Sequence, residues 1–108
     1  MGRSDSLGEF EQLVILAIAQ LGDEAYTVPV IDEIESRTGR QVSHASVYVV
    51  LRRLEKKGLV VSRMSEPTGE RGGRSRRYFR VEPEALRRVR EQRDALLAMW
   101  EGLEARTP

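Results

Sequence analysis

Residues 43–64, SHASVYVVLRRLEKKGLVVSRM, run a helix into a strand across one glycine. Ser43 is a residue type that caps helices, because its hydroxyl accepts a backbone N–H left without an intrahelical partner. Behind it Val47, Val50, Leu51 and Leu54 fall at i, i+3, i+4 and i+7, the spacing of one buried helical face. The helix is expected to reach Lys57, with Gly58 at a left-handed stop. Opposite the apolar stripe stand Ala45, Val49, Arg52 and Lys56, flanked by Ser46, Tyr48 and Arg53. Residues 59–64 are rich in Val and read as a strand, and 77–81 as its partner. The stretch between them, 65–76, holds Pro67, Gly69, Gly72, Gly73 and several arginines, the composition of a long basic hairpin tip.

Upstream, Ser6 and Glu9 have the spacing of a capping box. Phe10, Leu13, Val14, Ala17, Ile18 and Leu21 then recur at helical spacing until Gly22 ends the run. Thr27 is expected to cap a second helix, with Pro29 tolerated in its first turn. Val30, Ile31 and Ile34 form its apolar face, and Thr38-Gly39 closes it. Downstream, Pro83 opens a last helix at a position where its missing N–H costs nothing. That helix is expected to extend to about residue 106, with Leu86, Val89, Leu96, Trp100 and Leu103 on a 3–4 spacing and Arg93 interrupting the seam. The fold class is therefore mainly α with a small β-hairpin. The order of elements is that of a winged helix-turn-helix over 7–81, followed by a C-terminal dimerisation helix over 82–106.

At 108 residues the chain suits one core, and the absence of cysteine excludes disulfides, thiolate chemistry and cysteine-ligated zinc. The apolar run 13–19 is too short to span a bilayer, which takes about 20 residues. Glu9 and Glu11 precede it where a signal peptide would be basic, so the expected location is cytoplasmic, with no membrane partner. His44 is the only histidine, which leaves a histidine metal cluster or catalytic triad without a second member. With no nucleophile–base pair, metal set or phosphate-binding glycine motif, no enzyme activity, cofactor or metal is expected.

The formal net charge of +1 conceals a strong segregation. Residues 1–50 carry −5, residues 51–81 carry +7, and residues 82–108 carry −1. A basic central third in a near-neutral chain is the footprint of a polyanion-binding surface, although a solvated, salt-bridged face has the same composition. Joined to the helix and hairpin it points to double-stranded DNA, with the third helix in the major groove. The candidate contacts are Ser43, His44, Ser46, Tyr48, Val49, Arg52, Arg53 and Lys56 on the helix, with Lys57 adding charge, and Arg71, Arg74, Arg76 and Arg77 on the wing. A hydroxyl or cation would hold phosphate, and Val49 would meet a thymine methyl. Glu9 and Glu11 read as capping and surface groups, and Tyr26 as a packing residue.

The run RTGRQVSHASVYVVLRRLEKKGLVVSR (37–63), followed by GERGGRSRRYFRV (69–81), resembles the PadR family of transcriptional regulators. The shared pattern is Ser46 and Tyr48 in the recognition helix, the core Leu51-Arg52-Arg53-Leu54-Glu55-Lys56-Lys57-Gly58-Leu59, an Arg-Gly-rich wing, and the aromatic pair Tyr78-Phe79. The likeness spans 10–81. Two positions depart: Tyr26-Thr27-Val28 stands where the family often has His-Gly-Tyr, and Val49 where a proline often follows the tyrosine. The resemblance implies a homodimer joined through the C-terminal helix and repression of nearby genes, and the single terminal helix matches the shorter branch of the family.

The residues point to a dimer independently, because the last helix is longer than so small a domain can cover. Its expected interface residues are Leu86, Val89, Arg93, Leu96, Trp100 and Leu103. Trp100 carries two readings, as filler of the dimer seam or as the ring on which a small aromatic effector stacks between protomers, the second motivated by the family. The competing reading of the whole chain is a winged-helix protein-interaction module docking an acidic partner.

Overall fold

A computed structural model describes residues 6–66 and 75–103. The elements run α1 (Glu9–Leu21), a single 3₁₀ turn (Gly22–Glu24), α2 (Thr27–Thr38), α3 (His44–Lys56), β1 (Val60–Met64), β2 (Arg77–Val81) and α4 (Pro83–Trp100). The expected order of three helices, a hairpin and a last helix is present. Its fine placement differs at two N-termini and at the end of α4, which stops at Trp100 rather than near residue 106. Gly8, not Ser6, stands at the cap of α1, and the Glu11 carboxylate accepts the Gly8 N–H at 2.9 Å, so the capping interaction lies two residues further on. Tyr26, not Thr27, caps α2, held there by an edge-on ring contact with Tyr78 at 5.4 Å.

The core forms where the apolar stripes of the first three helices meet. Val14, Ile15 and Ile18 of α1 pack with Val30 and Ile34 of α2 and with Val47, Leu51 and Leu54 of α3, all buried. Each such aliphatic side chain contributes roughly 1.5–3 kcal/mol on leaving water. The hairpin closes the open side. Its strands are antiparallel, pairing Val60 with Val81 and Met64 with Arg77, and Val60 and Phe79 turn into the core. Because successive strand residues face opposite ways, Phe79 is buried and its neighbour Tyr78 is half-buried. Two further backbone bonds seat the hairpin: Phe79 N–H to Ala25 O (2.8 Å) ties β2 to the segment before α2, and Glu82 N–H to Leu59 O (2.9 Å) continues the β1–β2 ladder at its base.

The N-terminal half of α4 returns to this core through Ala85 and Val89. Gln92 takes hold of the Leu7 backbone with both ends of its amide, accepting the Leu7 N–H at 2.8 Å and donating to the Leu7 carbonyl at 3.0 Å. Beyond that clamp the helix leaves the domain, and the molecule measures 59 Å by 35 Å by 21 Å.

Candidate nucleic-acid interface

Capping builds the start of α3. Ser43 Oγ accepts the Ser46 N–H at 3.0 Å and donates to Ser46 Oγ at 2.8 Å, so both hydroxyls are held at the first turn beside exposed His44. Free backbone N–H groups at such a terminus favour an anion. One turn on, Tyr48 and Val49 are exposed although α3 buries four of its residues, because the buried stripe turns them outward. Arg52 Nη1 donates to the Tyr48 hydroxyl at 3.1 Å, and Arg52 Nε lies 3.4 Å from Glu55 Oε1. The arginine is thus drawn along the outer face of the helix rather than left free. Exposed Lys56 makes no ion pair among the described residues.

The remaining cations divide. Arg53 and Lys57 point toward α1, where Lys57 Nζ lies 2.8 Å and Arg53 Nη1 4.0 Å from Glu11 Oε2. Glu11, expected at the surface, is a buried charged residue. Burial is the largest single influence on its carboxyl and opposes ionisation. The hydrogen bonds from Lys57 and the Gly8 amide, with the charges of Lys57 and Arg53, together outweigh it and hold the group below its ordinary range. Sequence spacing could not reveal this, since Glu11 and Lys57 are 46 positions apart. Glu9 keeps the surface position expected of it and pairs with Arg40 at 3.2 Å.

At the wing, Arg77 Nη1 donates to Ser62 Oγ at 2.9 Å and Ser62 Oγ donates to Glu55 Oε2 at 2.6 Å. That chain joins β2 through β1 to α3. Arg76 lies over the Tyr26 ring at 4.4 Å and Arg63 over the Tyr78 ring at 4.8 Å, each within cation–π reach. With the Tyr26–Tyr78 contact they form a stack at the base of the wing. Arg71 and Arg74, with the glycines of the tip, lie outside the described residues.

Away from these residues, α1 and α4 flank an open groove of about 420 Å³, lined by Leu16, Leu86, Leu96, Leu97 and Trp100 among others. Val89 also borders it but is buried in its own chain, while Arg93, Leu96, Trp100 and Leu103 are exposed. The expected run of α4 to about residue 106 is not met: the helix ends at Trp100, where Glu101 leaves helical geometry (φ −56°, ψ 127°) and Gly102 takes a positive φ of 87°, so Leu103 lies in the turn beyond it. Among the described residues no helix is long and apolar enough to cross a membrane, and no group of His, Cys, Asp and Glu is placed to hold a metal ion.

Three packed helices, a two-stranded wing and a polar, cation-bearing third helix define a winged helix-turn-helix regulator of transcription. The profile of the Transcriptional regulator PadR-like family matches residues 15–91, and the chain belongs to that family. Solved structures agree. A PadR family transcriptional regulator from Eggerthella lenta is 26% identical, with a TM-score of 0.66 over 90% of this chain and 84% of that one. A Streptococcus transcriptional regulator is also 26% identical, with a TM-score of 0.66 over 88% and 91%. A PadR family transcription regulator from Clostridium difficile shares the fold at 19% identity, with a TM-score of 0.69 over 91% and 93%. No curated protein matches the chain.

Proposed function

We propose that the chain is a cytoplasmic, homodimeric repressor that reads a pseudo-palindromic operator with α3 and its basic wing. The observation that carries this reading is the outward face of α3, where Ser46, Tyr48, Val49 and Arg52 present hydroxyl, methyl and guanidinium groups beside a wing hydrogen-bonded to the same helix. Base edges in a major groove are distinguished by groups of these kinds. Residues 7–81 are the DNA-binding unit, and 82–106, which begin with α4, the dimerisation segment. Support for a second protomer comes from exposed Leu96, Leu97, Met99 and Trp100, which extend the α1–α4 groove beyond what one chain covers. Two copies joined there would set their third helices into major grooves about 10 bp apart, or a small multiple of that. Trp100 packs in the seam between protomers, and a flat aromatic effector entering the groove would stack on its ring and quench its emission.

The test is selection of bound duplexes from random DNA, followed by salt titration of binding to the enriched site. The expected outcome is a shared half-site motif and an affinity that falls with salt, with a log–log slope of about −0.9 per phosphate neutralised. No enrichment and no salt-sensitive binding would sink the reading, and retention of an acidic protein after nuclease treatment would replace it.

A further inference from the structure

Glu11 has two oxygens that serve different elements. Oε1 accepts the Gly8 N–H and closes the start of α1, while Oε2 accepts from Lys57 Nζ and faces Arg53. Four cations lie on the last turns of α3 and its cap: Arg52, Arg53, Lys56 and Lys57. Glu55 engages Arg52 and Glu11 engages Lys57 and, at 4.0 Å, Arg53, so of these four cations only Lys56 has no carboxylate partner among the described residues. Glu11 is 7% exposed, and solvent screens a buried charge less than a surface one. Its attraction therefore draws Lys57, and more loosely Arg53 at 4.0 Å, toward α1 while both side chains keep a solvent-exposed surface. Sequence-independent binding to DNA grows with each cation that neutralises a phosphate. A carboxylate that withholds two of them lowers that component while leaving Tyr48, Val49 and Arg52 in place.

We propose that Glu11 is a positioning residue that restrains Lys57 and Arg53 from the DNA backbone and so limits binding to non-operator sequence. The inference rests on the DNA-binding reading above. Its test is salt-titrated binding of the full chain to a random duplex, comparing the wild type with Glu11→Gln, Lys57→Gln and the double variant. Glutamine keeps the volume and the acceptor for Gly8 but removes the charge. Glu11→Gln is expected to bind random DNA several-fold more tightly, with a log–log salt slope steeper by about 0.9 for each cation released onto a phosphate. Lys57→Gln is expected to cost more in the Glu11→Gln background than in the wild type. A carboxylate that served only to hold the fold would move neither quantity in that direction.

Wild type that binds, with Glu11→Gln equal or weaker on random DNA, overturns this inference alone. Wild type that shows no salt-dependent binding overturns the DNA-binding reading and this inference with it. If circular dichroism shows Glu11→Gln unfolded, the single lysine variants decide. Lys57→Gln costing less than Lys56→Gln supports the restraint, and equal costs overturn it.

Discussion

Arg52 and Tyr48 are joined on the outer face of α3, guanidinium Nη1 to phenol oxygen at 3.1 Å, one helical turn apart. The arginine also lies 5.8 Å from the tyrosine ring centre and 3.4 Å from Glu55, so its direction is set before any DNA arrives. Arg52→Ala is therefore expected to cost about 1–3 kcal/mol on the selected operator and clearly less on random duplex. Tyr48→Phe, which removes the hydroxyl that Arg52 donates to, is expected to cost about 0.5–1.5 kcal/mol on the operator. Fluorescence anisotropy on both duplexes measures the difference. Equal losses on the two DNAs would remove Arg52 from base reading.

Ser62 is the hinge pin between wing and recognition helix, accepting from Arg77 and donating to Glu55. Ser62→Ala deprives Glu55 Oε2 of its donor in a carboxylate whose other oxygen is already buried without a hydrogen bond. Losing a part-buried hydrogen bond of this kind costs about 1 kcal/mol, which urea unfolding would detect. A variant as stable as the wild type would show that solvent replaces the serine at no cost.

Leu97 is 58% exposed in the single chain and contributes little to that chain's own core. Leu97→Asp should leave the domain's stability within about 0.5 kcal/mol, as for an ordinary surface change. It should at the same time shift the proposed dimer to monomer by placing a charge in an apolar seam. Light scattering after size-exclusion chromatography reads the mass directly. A Leu97→Asp protein that remained dimeric would move the interface away from the α1–α4 groove.

Hydrogen bonds from Arg87 and then Arg88, across the first turns of α4, bring the Glu84 carboxyl down from an ordinary 4.5 to about 2. A carboxylate with a lowered pKa in the folded state adds stability that is complete above about 4.5 and is lost as pH falls toward about 2. The group lies at the surface, so solvent and salt weaken its contribution. Helical circular dichroism is expected to decline over that window, and Glu84→Gln to remove part of the decline. An identical acid profile in the variant would mean the pairing does not couple to folding.

Helical period and punctuation made most of the fold legible. The stripe Val47, Val50, Leu51 and Leu54 required α3 to bury one face, which left Tyr48 and Val49 outside before any neighbour was known. Cap placement was less legible, because Ser6 and Glu9 offer the same local spacing that Gly8 and Glu11 take up. Gly8 wins because Glu11 reaches Lys57 and Arg53, a benefit absent from any short window. The basic residues were readable as a set but not as individuals. Arg76 and Arg77 look alike in sequence, yet one lies over the Tyr26 ring and the other reaches inward to Ser62.

By itself the sequence determined what depends on near neighbours: the helical faces, the hairpin, the family pattern and the concentration of positive charge in residues 51–81. These follow from backbone periodicity and composition, which act within a few residues. Tertiary structure alone decided which charges face outward, because ion pairing depends on distances between segments far apart in the chain. Glu11 meets Lys57 across 46 positions, and Gln92 grips Leu7 across 85. Only packing of α1 against α3 and α4 brings those groups within hydrogen-bond reach, and the same packing pairs Lys57 and Arg53 with Glu11 and leaves Lys56 without a carboxylate among the described residues.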